Sequence, residues 1–369
     1  MERPSTFFIG DNVTIEKLNI SINHVSTIKI GEQSTSVETT ASASESSLSR
    51  EPTEEHSDYT EYRKLADGIQ KDIYEGKSLG PRSDCLQECR ERISQNLKTE
   101  YYNIFFGISE GHADKLRTTS DLTEGLADHD IYKCLELFVP HTSFPKLARI
   151  TYLFRHAAAL AVSGNVELAK KEADEGYKAL RPYLEAERHA KTITSCLYGR
   201  VNVYLGWFSA MAAKGQTSRQ SMKDNIFPLI NEGLDYVEKI KDSNSENKHR
   251  WIRMFLVKRA FVYLNIGLLG EDIYDTEELH ITESDRTEAK KCLDDVKTHY
   301  WKTEESRRLM LYNRAEAKLL WIEGYKQEGI EILSAALEIA AGFKREKSIY
   351  QPILTKWNKE IGYKRLKSK

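Results

Sequence analysis

Residues 147–180, LARITYLFRHAAALAVSGNVELAKKEADEGYKAL, decide the fold. Leu153, Ala157 and Leu160 fall on one face of a helix, Gly164-Asn165 turns the chain, and Ala169, Ala173 and Gly176 return on a second helix. Two antiparallel helices approach closely only where small side chains sit at the crossing, and that is the physical reason for Ala and Gly at these offsets. The same spacing returns at Ala317, Leu320, Gly324, Gly329, Leu333 and Ala336. Between the two copies, Leu205-Gly206 opens a pair whose second helix is expected near 229–240. Ala260, Tyr263 and Gly267 open another, with its second helix near 284–300. Loops at 216–223 and 270–282 lengthen these two middle units.

Working outward, the helical period begins near residue 58. Tyr59, Tyr62, Leu65, Ile69 and Ile73 step by three or four, and Cys85, Leu86, Cys89, Ile93, Leu97, Tyr101 and Ile104 make one long apolar stripe. The stretch 107–119 reads as a loop, and Ser120 and Asp121 are expected to cap a helix running to Phe138. Pro140 and Pro145 bracket a tight connection. A last helix carries Ile353, Trp357 and Ile361, with Pro352 in its first turn, where a missing N–H costs nothing.

The small-residue spacing resembles the tetratricopeptide repeat family, which places a small residue near position eight, Gly near fifteen and small residues near twenty and twenty-seven of a ~34-residue unit. The units here are longer. The resemblance implies an all-α, antiparallel helix-pair superhelix over 147–343, after an N-terminal helical region at 58–146 and before a capping helix and basic tail at 344–369. An ordinary helical bundle with small residues at its crossings is the other reading. A stack of helix pairs presents a groove lined by the first helix of each pair. On that alignment Arg314, Lys318 and Trp321 fall on the groove face with Arg307 and Arg308 a turn or two earlier, and Arg253, Lys258 and Arg259 lie on the corresponding helix of the preceding pair. Cations beside an aromatic suit an acidic peptide, a C-terminal carboxylate or an RNA phosphate.

The first residues are of another kind. Over 1–30, Val13 and Ile15, then Leu18, Ile20 and Ile22, then Ile28 and Ile30 recur at spacing two, a β-prone arm too short to be stable alone. Residues 31–57 are rich in Ser, Thr and Glu and nearly free of large apolar side chains, so they are expected to form a disordered linker. Ile28-Lys29-Ile30-Gly31 is similar to the tetrad of RIP homotypic interaction motifs, and Phe7-Phe8-Ile9-Gly10-Asp11-Asn12 is a looser second match. That resemblance implies self-assembly by cross-β stacking and a place in innate-immune or cell-death signalling. A β-rich arm that docks on the helical domain, or one that is disordered, is the alternative.

Charge and motifs narrow the function. In 369 residues, 54 Lys and Arg meet 56 Asp and Glu, a net charge of −2, which argues against binding driven by bulk charge. The charge is uneven: 1–60 carries ten acids against four bases, whereas 342–369 carries nine bases against two acids. The five cysteines, Cys85, Cys89, Cys134, Cys196 and Cys292, give no paired framework, so a cytoplasmic, reducing setting is expected. Cys85 and Cys89 lack a second pair and a His at ligand spacing, so no metal is expected. No run is long and apolar enough to insert in a membrane. No phosphate-binding glycine loop, nucleophile elbow or dinucleotide turn is found, and no cofactor or catalytic residue is assigned. His112 with Asp114, and His129 between Asp128 and Asp130, are the acid–imidazole clusters. The resulting expectation is a non-catalytic protein–protein interaction scaffold or adaptor with a peptide or protein ligand in its groove. The alternative is an RNA-binding helical-repeat effector of the interferon-induced type.

Overall fold

A computed structural model describes residues 99–120, 124–185, 189–239, 245–274, 281–300 and 306–367. Eleven α-helices occupy them: α1 (Thr99–Thr119), α2 (Asp130–Phe138), α3 (Pro145–Val162), α4 (Val166–Leu180), α5 (Ala190–Ala213), α6 (Arg219–Lys239), α7 (Ser245–Tyr263), α8 (Glu283–His299), α9 (Ser306–Glu323), α10 (Lys326–Ile339) and α11 (Lys344–Lys367). Among the described residues there is no strand, only one isolated antiparallel bridge, Ile266 to Asp272. The all-α expectation therefore holds for these residues. The β-prone arm, the linker and Ile28–Gly31 lie outside them.

The described residues fall into two compact units, with the divisions after Asp114, His129 and Ala148. In the first, Tyr102, Phe105 and Ile108 of α1 and Ile131, Leu135 and Phe138 of α2 are buried. The rings of Phe105 and Phe138 lie 5.7 Å apart. Asn103 fixes the start of the α3 segment by exchanging two hydrogen bonds with Ser143, at 2.7 and 2.9 Å.

Two sequence expectations fail here. The stretch 107–119 is not a loop but the second half of α1, and Ser120 ends that helix, donating its N–H to Leu116 O at 3.1 Å, rather than capping a new one. The next helix starts only at Asp130, after turns that include Gly125 at φ +68°. The cause is burial on every side. Ser109, Glu110, His112 and Asp114 are interior along with Ile108 and Ala113, so the polar and apolar residues never separate into two faces.

The second unit is built of helix hairpins. Each of α3, α5, α7 and α9 ends on a left-handed residue: Gly164 (φ 84°), Gly215 (65°), Asn265 (53°) and Gly324 (95°). The following N–H reaches back over the last turn in all four, Asn165 to Leu160 O (2.9 Å), Gln216 to Met211 O (2.9 Å), Ile266 to Phe261 O (2.8 Å) and Tyr325 to Leu320 O (2.9 Å). This closure satisfies carbonyls that a helix end would otherwise strand. In the first and last hairpins the returning helix starts at once. In the third, residues 264–282 intervene before Thr282 and Asp285 cap α8 with a reciprocal capping box.

Small residues sit at the crossings as the spacing requires. A Cβ on Gly176 of α4 would lie 3.2 Å from the Phe154 ring of α3, and one on Gly329 of α10 would lie 3.0 Å from the Ala317 carbonyl oxygen of α9. Successive helices pack in order from α4 to α11, and the buried apolar residues of α5, α7 and α9 form the core.

Candidate functional site

Of the residues assigned to an open groove, Arg253, Lys258, Arg314, Lys318 and Trp321 are inside the protein, and Arg259, Arg307 and Arg308 are half-buried. Arg314 and Lys318 are 0% and 1% exposed, Lys258 and Arg253 are buried, and Trp321 is buried against Trp357. Arg253 donates to Tyr300 O, Arg259 to Asn231, and Arg307 to Glu346 at 3.0 Å. Arg308 is half-buried. The five buried residues of this set therefore do not line an open face. The reason lies in the long α7–α8 connection, which covers the helix positions that a shorter turn would leave open.

That connection is held by the same cations. Lys258 Nζ donates to Leu268 O (3.1 Å), and Arg314 Nε donates to Gly270 O (2.8 Å). Lys318 Nζ donates to Asn265 O (3.3 Å) and to Asp272 Oδ1 (2.7 Å), the oxygen that Arg314 Nη2 also engages. Arg219 of α6 binds Asn265 Oδ1 (2.6 Å) and Tyr263 O (3.0 Å). Burial by itself would push the Asp272 carboxyl up, but Arg314 and Lys318 outweigh it and hold the group well below the usual carboxylate range. The loop thus exchanges water for the buried Lys258, Arg314 and Lys318 and the half-buried Arg219, each with a fixed acceptor.

The outer side of this loop forms one wall of a cavity of about 680 Å³. The other wall is made of small side chains: Ala161 at the end of α3, Gly206, Ser209, Ala210 and Ala213 on α5, and Gly164 and Gly215 in the turns. Gly206 keeps the walls close, since a Cβ there would lie 3.1 Å from Leu268 Cδ2 and 3.5 Å from Ala161 Cβ. Glu271 and Asp272 bring carboxylates to the loop wall. Glu271 accepts from the Leu269 N–H at 2.8 Å and has no ion pair among the described residues. The walls therefore offer apolar contact together with acceptor oxygens, a surface suited to an extended segment carrying N–H donors.

Comparison with protein-family models, curated proteins and solved structures returns no match. The site stands on its geometry.

The remaining candidates fall elsewhere. His112 is buried in α1, and burial lowers its imidazole to about 4, the reverse of a metal-poised or general-base histidine at neutral pH. Its sequence neighbour Asp114 is two positions along the helix and so points to another side. His129 is exposed in a turn. Cys134, Cys196 and Cys292 are buried thiols, and burial pushes that of Cys292 up to about 12. Among the described residues no three His, Cys, Asp or Glu side chains group as a metal site would need, and no helix is long and apolar enough to cross a membrane.

Glu271 and Asp272 were not singled out from sequence, because they lie in a stretch that reads only as a loop. A signal was present. Lys258, Arg314 and Lys318 share faces with Phe255, Phe261, Met310 and Trp321, and a base on an apolar face demands a buried acceptor nearby.

Proposed function

We propose that residues 147–343 are a divergent, loop-extended tetratricopeptide-like stack. In this reading the stack is a non-catalytic protein–protein interaction scaffold that takes a partner segment in the cavity between α3, α5 and the α7–α8 loop. The observation that carries this reading is the cavity itself: small side chains of two successive first helices face a loop fixed by buried cations. Such a wall is pre-organised, so a ligand need not supply the cost of ordering it. A partner chain would lay apolar side chains along Ala161, Gly206 and Ala210 and direct N–H donors to Glu271 and to the free side of Asp272.

Ala210→Trp tests it, because Ala210 is half-exposed and a large ring there fills the cavity from its rim. Full-length protein carrying this change should keep its helical circular dichroism and lose the partners that wild type recovers by proximity labelling. Glu271→Gln should weaken the same partners less. Undiminished recovery by Ala210→Trp would remove the cavity from the function.

A further inference from the structure

Two hydrogen-bond acceptors of the cavity wall come together without a donor between them. Glu271 Oε2 accepts from the Leu269 N–H at 2.8 Å, and Oε1 receives no hydrogen bond or ion pair from the described residues. Ser209 Oγ on α5 spends its proton on Leu205 O at 2.8 Å, so it too can only accept. The two oxygens flank one point: a Cβ on Gly267 would overlap Glu271 Oε1 and stand 2.5 Å from Ser209 Oγ. The missing side chain at Gly267 is what lets the loop carboxylate reach the helix hydroxyl.

The surrounding charge selects the donor. Glu271 and Ser209 both line the cavity of about 680 Å³, and among the described residues that line it there is no Lys, Arg or His. Asp272, the other carboxylate of the wall, is taken by Arg314 and Lys318. Glu271 is therefore the acid that meets a ligand, and a carboxylate beside a second acceptor favours a donor that carries positive charge. The form of that donor follows from which oxygen is in use. A guanidinium grips a carboxylate through two parallel bonds to both oxygens, and Oε2 is committed to Leu269. An ammonium carries three donors on one atom and can serve Oε1 and Ser209 Oγ together. Gly206, Ala210 and Ala213, which line the same cavity, leave room along α5 for the aliphatic stem of a lysine.

On the reading of this cavity as the partner site, we propose that the partner segment is recognised through one lysine. Its Nζ donates to Glu271 Oε1 and Ser209 Oγ, and its stem lies along Gly206, Ala210 and Ala213.

The test titrates the full chain with N-acetyl-alanyl-lysyl-alanine amide and with its norleucine and arginine analogues, followed by methyl NMR shifts. Norleucine keeps the stem and lacks the ammonium. Wild type should bind the lysine peptide saturably and about tenfold or more tightly than the norleucine peptide. Glu271→Gln keeps an acceptor for the Leu269 N–H, so it should fold and lose that preference, and Ser209→Ala should reduce it about threefold. Equal affinity for lysine and norleucine, a tighter arginine peptide, an unchanged preference in Glu271→Gln, or no saturable binding of the lysine peptide would each overturn the proposal. Equal lysine and norleucine binding that Ala210→Trp abolishes would leave the cavity as a partner site without lysine recognition. Failure of the cavity itself shows differently, as undiminished partner recovery by Ala210→Trp.

Discussion

Lys318 Nζ lies 2.7 Å from Asp272 Oδ1, and the same carboxylate oxygen takes the guanidinium of Arg314. A single acid in a loop therefore organises two bases from one helix, four residues apart on α9. The arrangement turns what reads as a binding face into an interior joint. It also ties down a loop with two left-handed non-glycine residues, Asn265 and Tyr274: the carbonyls of Asn265, Leu268 and Gly270 and one oxygen of Asp272 accept from buried cations.

Removing the acid should be worse than removing the joint. Asp272→Asn removes the carboxylate that buried Arg314 and Lys318 share and should lower the unfolding free energy by about 3–5 kcal/mol. Adding Lys318→Met to that variant removes one of those buried charges, so the double variant should recover part of the loss. Urea unfolding of wild type, both single variants and the double variant measures this directly. Additive effects would show that the two residues act independently.

How much of this was legible depends on what each residue must satisfy. The hairpins were readable because Gly164, Gly324, Gly176 and Gly329 announce turns and close crossings by lacking a side chain. The cations were misread because a helical wheel assigns Arg314 and Lys318 to a face without saying what covers it. What covers it is residues 264–274, and a long connection has no periodicity from which its position can be deduced. The second half of α1 was missed for the opposite reason. Its buried Glu110, His112 and Asp114 imitate the composition of a solvated loop.

Burial of His112 predicts a pH dependence. Its imidazole titrates at about 4 in the folded protein against an ordinary 6.5, so between those values the unfolded chain binds the proton and the folded chain does not. Stability should therefore be full above about pH 6.5 and fall by up to about 1.4 kcal/mol per unit as pH drops toward 4, then level off with respect to this group. His112→Gln should flatten that part of the profile, as read by chemical denaturation between pH 4 and 7. A slope identical to that of wild type would assign the dependence to other groups.

Space decides the outcome at Gly329. A Cβ would meet the Ala317 carbonyl oxygen at 3.0 Å and the Trp321 N at 3.3 Å, both backbone atoms that cannot swing aside. Gly329→Ala should push α9 and α10 apart and cost about 1–3 kcal/mol, even though alanine is the better helix former by about 1 kcal/mol. Gly342→Ala provides the contrast. Nothing lies within 4 Å of its added Cβ, so that variant should be near neutral. Thermal unfolding of the pair separates close approach from helix propensity.

A stacked pair of indoles helps to join the last helix to the array. Trp357 of α11 stacks on Trp321 of α9 with centroids 4.3 Å apart and planes 6° from parallel, and both indoles are buried. Lys326 covers the Trp321 ring at 4.3 Å, and the Arg314 guanidinium lies 5.9 Å from the centre of Trp357. Trp357→Ala deletes a whole buried ring and should cost about 3–5 kcal/mol. Trp357→Phe keeps a smaller stack and should cost less than half of that. If α11 instead owes its position mainly to Tyr350 and Leu354, both also buried, Trp357→Ala will lower the urea midpoint only slightly. Hydrogen exchange locates the effect: the loss should appear first in α11 and in the adjoining turns of α9, while amides of α3 and α4 keep their wild-type protection.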